Sequence, residues 1–321
     1  MSLQLLVVVD TEEEFDWDAP FSRSAVATRS IPAQARAHEI YDRFDLVPTY
    51  VVDHPVATDP VAAGFLRALK DEGRAEIGAH LHPWVTPPHD EAVTTRNSYQ
   101  CNLPPALERA KIETLTEAIT RSFGARPTVF KAGRYGYGPN TGRVLAELGY
   151  EVDCSFVPHT DFSADGGPDF RRVDDGPHWL DNGLLEVPLS VGYFGALAGI
   201  GPRADWLFDH RGAARLRVPG LLARSGLVVR SRLTPEGVPA DEQCRLIAAL
   251  AAQGHRLFSL TYHSPSLAPG HTPYVRDEAE LSAFLATIEQ VLTYFRDTLG
   301  GTFTTLTQVR RDFDAARREA A

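Results

Sequence analysis

Two short patterns hold the residue types from which a hydrolytic centre is built. One is His80-Leu81-His82, inside Ile77-Gly78-Ala79-His80-Leu81-His82-Pro83-Trp84, and the other is Asp10-Thr11-Glu12, directly after the apolar run Leu3 to Val9. Alternate side chains of a strand share a face, so imidazoles or carboxylates two residues apart project together and can converge on one ion or substrate. One carboxylate and two imidazoles with open positions make a legitimate catalytic site for a divalent ion. Histidine pairs in surface loops commonly bind nothing, so the weight here comes from position. An acid pair ending an apolar strand, with a second polar cluster ending another, is the pattern of a site on the C-terminal rim of a parallel sheet or barrel.

Bringing those ends together requires parallel strands. Leu3 to Val9 is apolar throughout, as in a strand covered on both faces. Further strands are predicted at Pro48 to Val52, Ala75 to Ala79, Thr128 to Lys131, Glu151 to Cys154, Leu185 to Pro188, Leu257 to Tyr262 and Phe303 to Leu306. Helices are predicted at Ala33 to Phe44, Pro60 to Glu72, from Pro104-Pro105 to about Phe123, and at Asn140 to Leu148, Asp241 to Ala252, Asp277 to Leu299 and Thr307 to Ala316. This alternation predicts an α/β barrel or an open parallel sheet. The barrel is preferred because polar residues follow five different strands, at Asp10, His80, Arg134, Asp153 and His263, and a closed ring lets five strand ends converge. Residues 1–321 read as one barrel with insertions near 85–103, 157–183 and 192–239.

Composition is that of an ordinary globular protein, with 43% hydrophobic and 23% charged residues in 321. The formal charge of −10 argues against a general nucleic-acid or anionic-membrane surface. A local exception is the arginine-rich stretch Arg211, Arg215, Arg217, Arg224, Arg230 and Arg232, which reads as a solvated face or as a phosphate contact. Cys101, Cys154 and Cys244 are odd in number and far apart, so neither a disulfide framework nor a cysteine zinc site is expected. No apolar run is long enough to span a membrane and no cleavable leader is read at the N-terminus, which leads to the expectation of a cytoplasmic protein.

The order of motifs resembles the polysaccharide deacetylase family, also called NodB homology or carbohydrate esterase family four. That resemblance implies a distorted (β/α)7 barrel. It implies Asp10 as catalytic base and Glu12 as metal ligand, followed by Glu76-Ile77-Gly78 leading to His80, with His82 as the second imidazole. Arg134 resembles the arginine that orients the base. Asp153, in Gly149-Tyr150-Glu151-Val152-Asp153-Cys154-Ser155, resembles the aspartate that tunes the catalytic histidine, and His263, in Leu260-Thr261-Tyr262-His263, the general acid itself. Two departures stand out: an adjacent Asp-Asp pair is replaced by Asp10-Thr11-Glu12, and Trp84 stands where a further histidine is usual.

The function expected is removal of an N-acyl group, an acetyl first of all, from a sugar or glycan precursor, assisted by a divalent ion such as zinc. Trp84 and Tyr135 are the candidate substrate-binding aromatics, while Trp179, like any large aromatic, also fits a structural role. His89, His159 and His271 lie in loops as bystanders, with His271 the replacement ligand if one is needed. Arg134 with Asp153 also reads as a rim salt bridge, and His263 as a strand-end histidine satisfied by backbone. The rival functions are a metal-free amidohydrolase acting on a ureide or cyclic amide, and a carbohydrate-binding relative without catalysis.

Overall fold

The computed structural model describes residues 2–203 and 227–319. Seven parallel strands run side by side in the order β10-β1-β2-β3-β4-β5-β7, comprising β1 (Gln4–Thr11), β2 (Thr49–Val52), β3 (Glu76–Leu81), β4 (Val129–Ala132), β5 (Val152–Asp153), β7 (Leu185–Glu186) and β10 (Leu257–His263). A short β6 (His178–Trp179) adds antiparallel to β7, and β11 (Thr302–Phe303) pairs with the start of β1. The sheet curls into an incompletely closed barrel. Its gap is spanned by the hairpin of β8 (Val191–Phe194) and β9 (Val229–Arg232), after which the Leu233 carbonyl accepts from the Thr261 N–H of β10 at 3.1 Å. The pair begins one residue before the 192–239 stretch and extends into it, where apolar residues scattered among Arg, Gly and Pro give no period by which to place these strands.

Side-chain parity explains how one strand serves two environments. Leu5, Val7 and Val9 of β1 join the outer core beneath the helices, while Leu6 and Val8 join a second apolar cluster in the lumen with Val51, Val129, Val152 and Leu185. The helices on the outer face include α1 (Ala35–Tyr41), α2 (His54–Thr58), α3 (Pro60–Asp71), α4 (Pro105–Phe123) and α5 (Pro139–Glu147). They continue with α6 (Ala240–Ala252), α7 (Glu278–Thr293) and α8 (Leu306–Glu319). Leu306 and Val309 of α8 join the lumen cluster from the N-terminal end of the strands. Gly78 belongs to the crowded lumen layer: a Cβ there would meet Val51 Cγ1 at 2.9 Å and the Val129 carbonyl at 3.0 Å.

The excursion after β3 is held from behind. Buried Lys111 of α4 donates to the carbonyls of Pro83, Thr86 and Pro88 at 2.8, 2.6 and 2.7 Å and meets Glu91 at 3.1 Å. An ammonium placed against converging carbonyls keeps its charge satisfied away from water. The result is a fixed course for the chain that carries His82 and Trp84.

A buried polar group also ties α1 to the sheet, where His38 Nε2 meets the Tyr50 hydroxyl at 2.9 Å. Burial, assisted by the Arg74 charge and opposed by Asp42, lowers the His38 pKa from 6.5 to about 4. The unfolded chain therefore binds this proton first as pH falls. The contribution is complete above pH 6.5 and is lost progressively down to about pH 4, amounting to about 3 kcal/mol. Urea denaturation at pH 7.5, 5.5 and 4.5 is expected to show this decline, and His38→Gln to flatten it. An equal decline in the variant would assign the effect elsewhere.

Candidate active site

The parity that separates the two cores also selects the site. Asp10 and Glu12 continue the lumen face of Leu6 and Val8, and His80 and His82 continue that of Gly78. Lys131 follows Val129 on β4, and His263 follows Ser259 and Thr261 on β10. Register completes the arrangement, since Asp10 is paired with His263 and His80 with Lys131 across neighbouring strands.

Asp10 is held by Lys131, whose ammonium donates to its carboxylate oxygens at 2.6 and 2.8 Å and to Thr261 Oγ1 at 3.1 Å. Burial pushes the Asp10 pKa up, but Lys131, His80 and His263 outweigh it and hold the carboxyl below its ordinary value. His263 Nε2 lies 3.7 Å from Asp10 Oδ2. Its Nδ1–H donates to Glu236 Oε2 at 2.8 Å, while its backbone N–H and the Ser266 hydroxyl donate to Glu236 Oε1. Burial opposes the imidazolium, yet the charge and hydrogen bond of Glu236 raise the His263 pKa. A carboxylate held toward its ionised form and an imidazole held toward its protonated form thus stand side by side.

Opposite them, Glu12 Oε2 lies 3.6 Å from His80 Nε2 and 3.4 Å from His82 Nε2. Each imidazole is fixed through its other nitrogen: His80 Nδ1–H donates to the Lys131 carbonyl at 3.1 Å and His82 Nδ1–H to Glu13 Oε2 at 2.8 Å. Glu13 in turn accepts from the Trp84 indole N–H at 2.8 Å, and its backbone N–H donates to Asp53. Burial keeps both histidines neutral, lowering His82 to about 4 and His80 well below its ordinary value. Burial and the neighbouring acids Glu13, Asp10, Asp53 and Glu236 push Glu12 well up, and its Oε1 is buried without a partner. Two neutral imidazoles and an orphaned carboxylate oxygen, with ligand atoms all within 4.8 Å of one another, fit a divalent cation.

Several expected roles fall to other residues. Arg134 does not touch Asp10. The strand ends in left-handed backbone at Arg134 (φ 50) and Tyr135 (φ 61), which turns the guanidinium away to Ser98 Oγ at 2.7 Å, and Lys131 takes its place. Gly133, just before, allows close approach: a Cβ would collide with the Leu81 carbonyl and the His82 ring. Asp153 does not tune His263. It alternates with Val152 and Cys154, which face the lumen, and so it points outward to Ser155 and shares a buried acidic pair with Glu186. Glu236 supplies the expected contact to His263. Trp84 offers no free face to a sugar, being stacked on His82 at 4.2 Å and covered by Phe21 at 4.4 Å. Tyr135 lines the cleft, half-buried and stacked on Phe162. Trp179 lies between Arg310 and Arg317 of α8, on the far side of the barrel. His271 pairs with Glu14 and His159 with Asp175, away from Glu12. Of the arginine-rich stretch, 211, 215, 217 and 224 lie outside the described residues, Arg230 donates to the His159 carbonyl, and Arg232 lines the cleft.

A cleft of about 390 Å³ opens over the whole group, walled by Phe15, Trp17, Phe21, Tyr99 and Tyr274. Trp17 sets its edge against His263, with ring centroids 5.0 Å apart.

By sequence, no family model and no curated protein matches this chain. By structure, it is similar to a protein from Mycobacterium smegmatis assigned to the polysaccharide deacetylases, with 18% identity over 99% of this chain and 92% of that one and a TM-score of 0.57. It is similar in the same way to PuuE allantoinase, with 17% identity, coverage of 97% and 90% and a TM-score of 0.55. A GH57-type branching enzyme from Pyrococcus horikoshii aligns with 13% identity, coverage of 98% and 71% and a TM-score of 0.55. The chain therefore has the curled NodB-type barrel of the polysaccharide deacetylases, in a divergent form. Since that barrel also serves an allantoinase and a branching enzyme, the chemistry has to be argued from the site.

Proposed function

We propose that this protein is a metal-dependent hydrolase that removes an N-acyl group, an acetyl first of all, from a sugar or glycan precursor. The observation that carries the proposal is the convergence, within one cleft, of a neutral two-histidine, one-carboxylate centre and a side-by-side carboxylate and imidazole. Glu12, His80 and His82 would hold the ion, whose chemistry when bound is to polarise an acyl carbonyl and acidify a water. Asp10, kept ionised by Lys131, takes the proton of the attacking water. His263, kept protonated by Glu236, donates from Nε2 to the departing amine. The C–N bond breaks and a carboxylic acid and an amine are released.

A metal-free amidohydrolase is a second reading, favoured by Trp84 in place of a further imidazole ligand. Elemental analysis of the purified protein separates the two. Near-stoichiometric divalent metal is expected, absent from the His80→Ala, His82→Ala double variant, together with release of acetate from N-acetylated sugars that a chelator abolishes. Turnover that persists in the metal-stripped protein would replace the first reading by the second.

A further inference from the structure

The cleft holds two cations that the hydrolytic centre does not use. Arg134 and Arg232 both line it, and neither is ion-paired to a carboxylate among the described residues. Arg134 is the better held: its guanidinium lies 4.2 Å from the Tyr99 ring centroid and 5.2 Å from that of Phe21. Nη1 alone is anchored, donating to Ser98 Oγ at 2.7 Å and the Thr95 carbonyl at 3.4 Å. The Nε and Nη2 hydrogens have no acceptor among the described residues. A guanidinium fixed by ring faces and one anchored nitrogen has already lost much of the rotamer freedom that binding costs. Its remaining edge is a planar set of donors matched to a carboxylate or phosphate.

Position adds to this. Arg134 stands over the Phe21 ring, which packs on Trp84 beside His82, whereas Arg232 lines the cleft together with Tyr274, whose ring meets Trp17 beside His263. The two cations flank the reacting groups. Asp16 and Asp165 also line the cleft, but both are exposed at its rim, where water and salt screen them.

We propose that the substrate carries an anionic group, a carboxylate or a phosphate ester, and that Arg134 selects it, with Arg232 as a secondary contact. This rests on the reading of the cleft as a site for an N-acylated sugar. The test is calorimetric binding of N-acetylglucosamine against N-acetylglucosamine 6-phosphate and N-acetylmuramic acid, to wild type and to Arg134→Gln and Arg134→Lys. At least one anionic sugar is expected to bind about tenfold tighter than the neutral one at low salt. That ratio is expected to fall to near one in Arg134→Gln and to an intermediate value in Arg134→Lys, with thermal midpoints confirming that the variants fold. Which anionic sugar is preferred distinguishes phosphate from carboxylate. No preference, a preference that Arg134→Gln leaves intact, or no binding of either anionic sugar would overturn the assignment. If the Arg134-dependent preference holds but no acyl group is ever released, the hydrolase reading fails and the anion receptor stands.

Discussion

On the hydrolase reading proposed above, Lys131→Met is expected to lower turnover steeply and to destabilise the fold, because it removes the cation paired with a nearly buried carboxylate. Asp10 is 3% exposed, and its oxygens are held by one ammonium that reaches across the lumen from β4, three strands away. Removing one member of a buried ion pair leaves the other uncompensated and costs about 3–5 kcal/mol. Loss of an oriented general base lowers the rate by about 10²–10⁴-fold. A double-variant cycle separates the two effects. Lys131→Met with Asp10→Asn is expected to recover most of the stability, since a neutral amide needs no counter-charge, and none of the activity. Stability in Lys131→Met equal to wild type, by urea midpoint, would show that the pair is not the support of this face.

The second large effect is expected at Glu236. Its carboxylate accepts from His263 Nδ1, from the His263 backbone N–H and from Ser266, so one side chain sets both the orientation of the imidazole and its affinity for a proton. With Glu236 present, the His263 pKa stands above its ordinary value, and the imidazolium needed as acid persists to higher pH. Glu236→Gln keeps a hydrogen-bonding group of similar shape and removes the charge. On the hydrolase reading, the alkaline limb of the kcat/KM profile is then expected to move to lower pH and activity at pH 8 to fall by about 10–100-fold, the range typical when a carboxylate that orients a metal-ligating imidazole is lost. A uniform loss at every pH, with the limb unmoved, would mean that Glu236 acts by orienting the imidazole and not by raising its pKa.

Neither Lys131 nor Glu236 belongs to the motifs that resemble the deacetylase family. Lys131 was legible in principle: in Val129-Phe130-Lys131-Ala132 it shares the face of Val129, and a lysine on the interior side of a fully buried strand requires an acid opposite. The family resemblance implies Arg134 for that contact instead. The parity of Val152, Asp153 and Cys154 likewise argued against Asp153, since its apolar neighbours must face the lumen. Glu13 was hidden by its place between a site residue and a polar loop. Glu236 sits in Thr234-Pro235-Glu236-Gly237, where no periodicity exists to assign a face.

Taken alone, the sequence determined the strand and helix alternation, the barrel, the acid and histidine pairs at the ends of β1 and β3, and His263 at the end of β10. These are local properties, carried by the two-residue period of a strand and by apolar runs that only a doubly covered strand tolerates. The tertiary structure decided which groups complete the centre. Lys131 reaches Asp10 across 121 residues and His82 finds Glu13 across 69. Such pairings depend on strand register and on the course of the chain between strands, which sequence spacing does not encode.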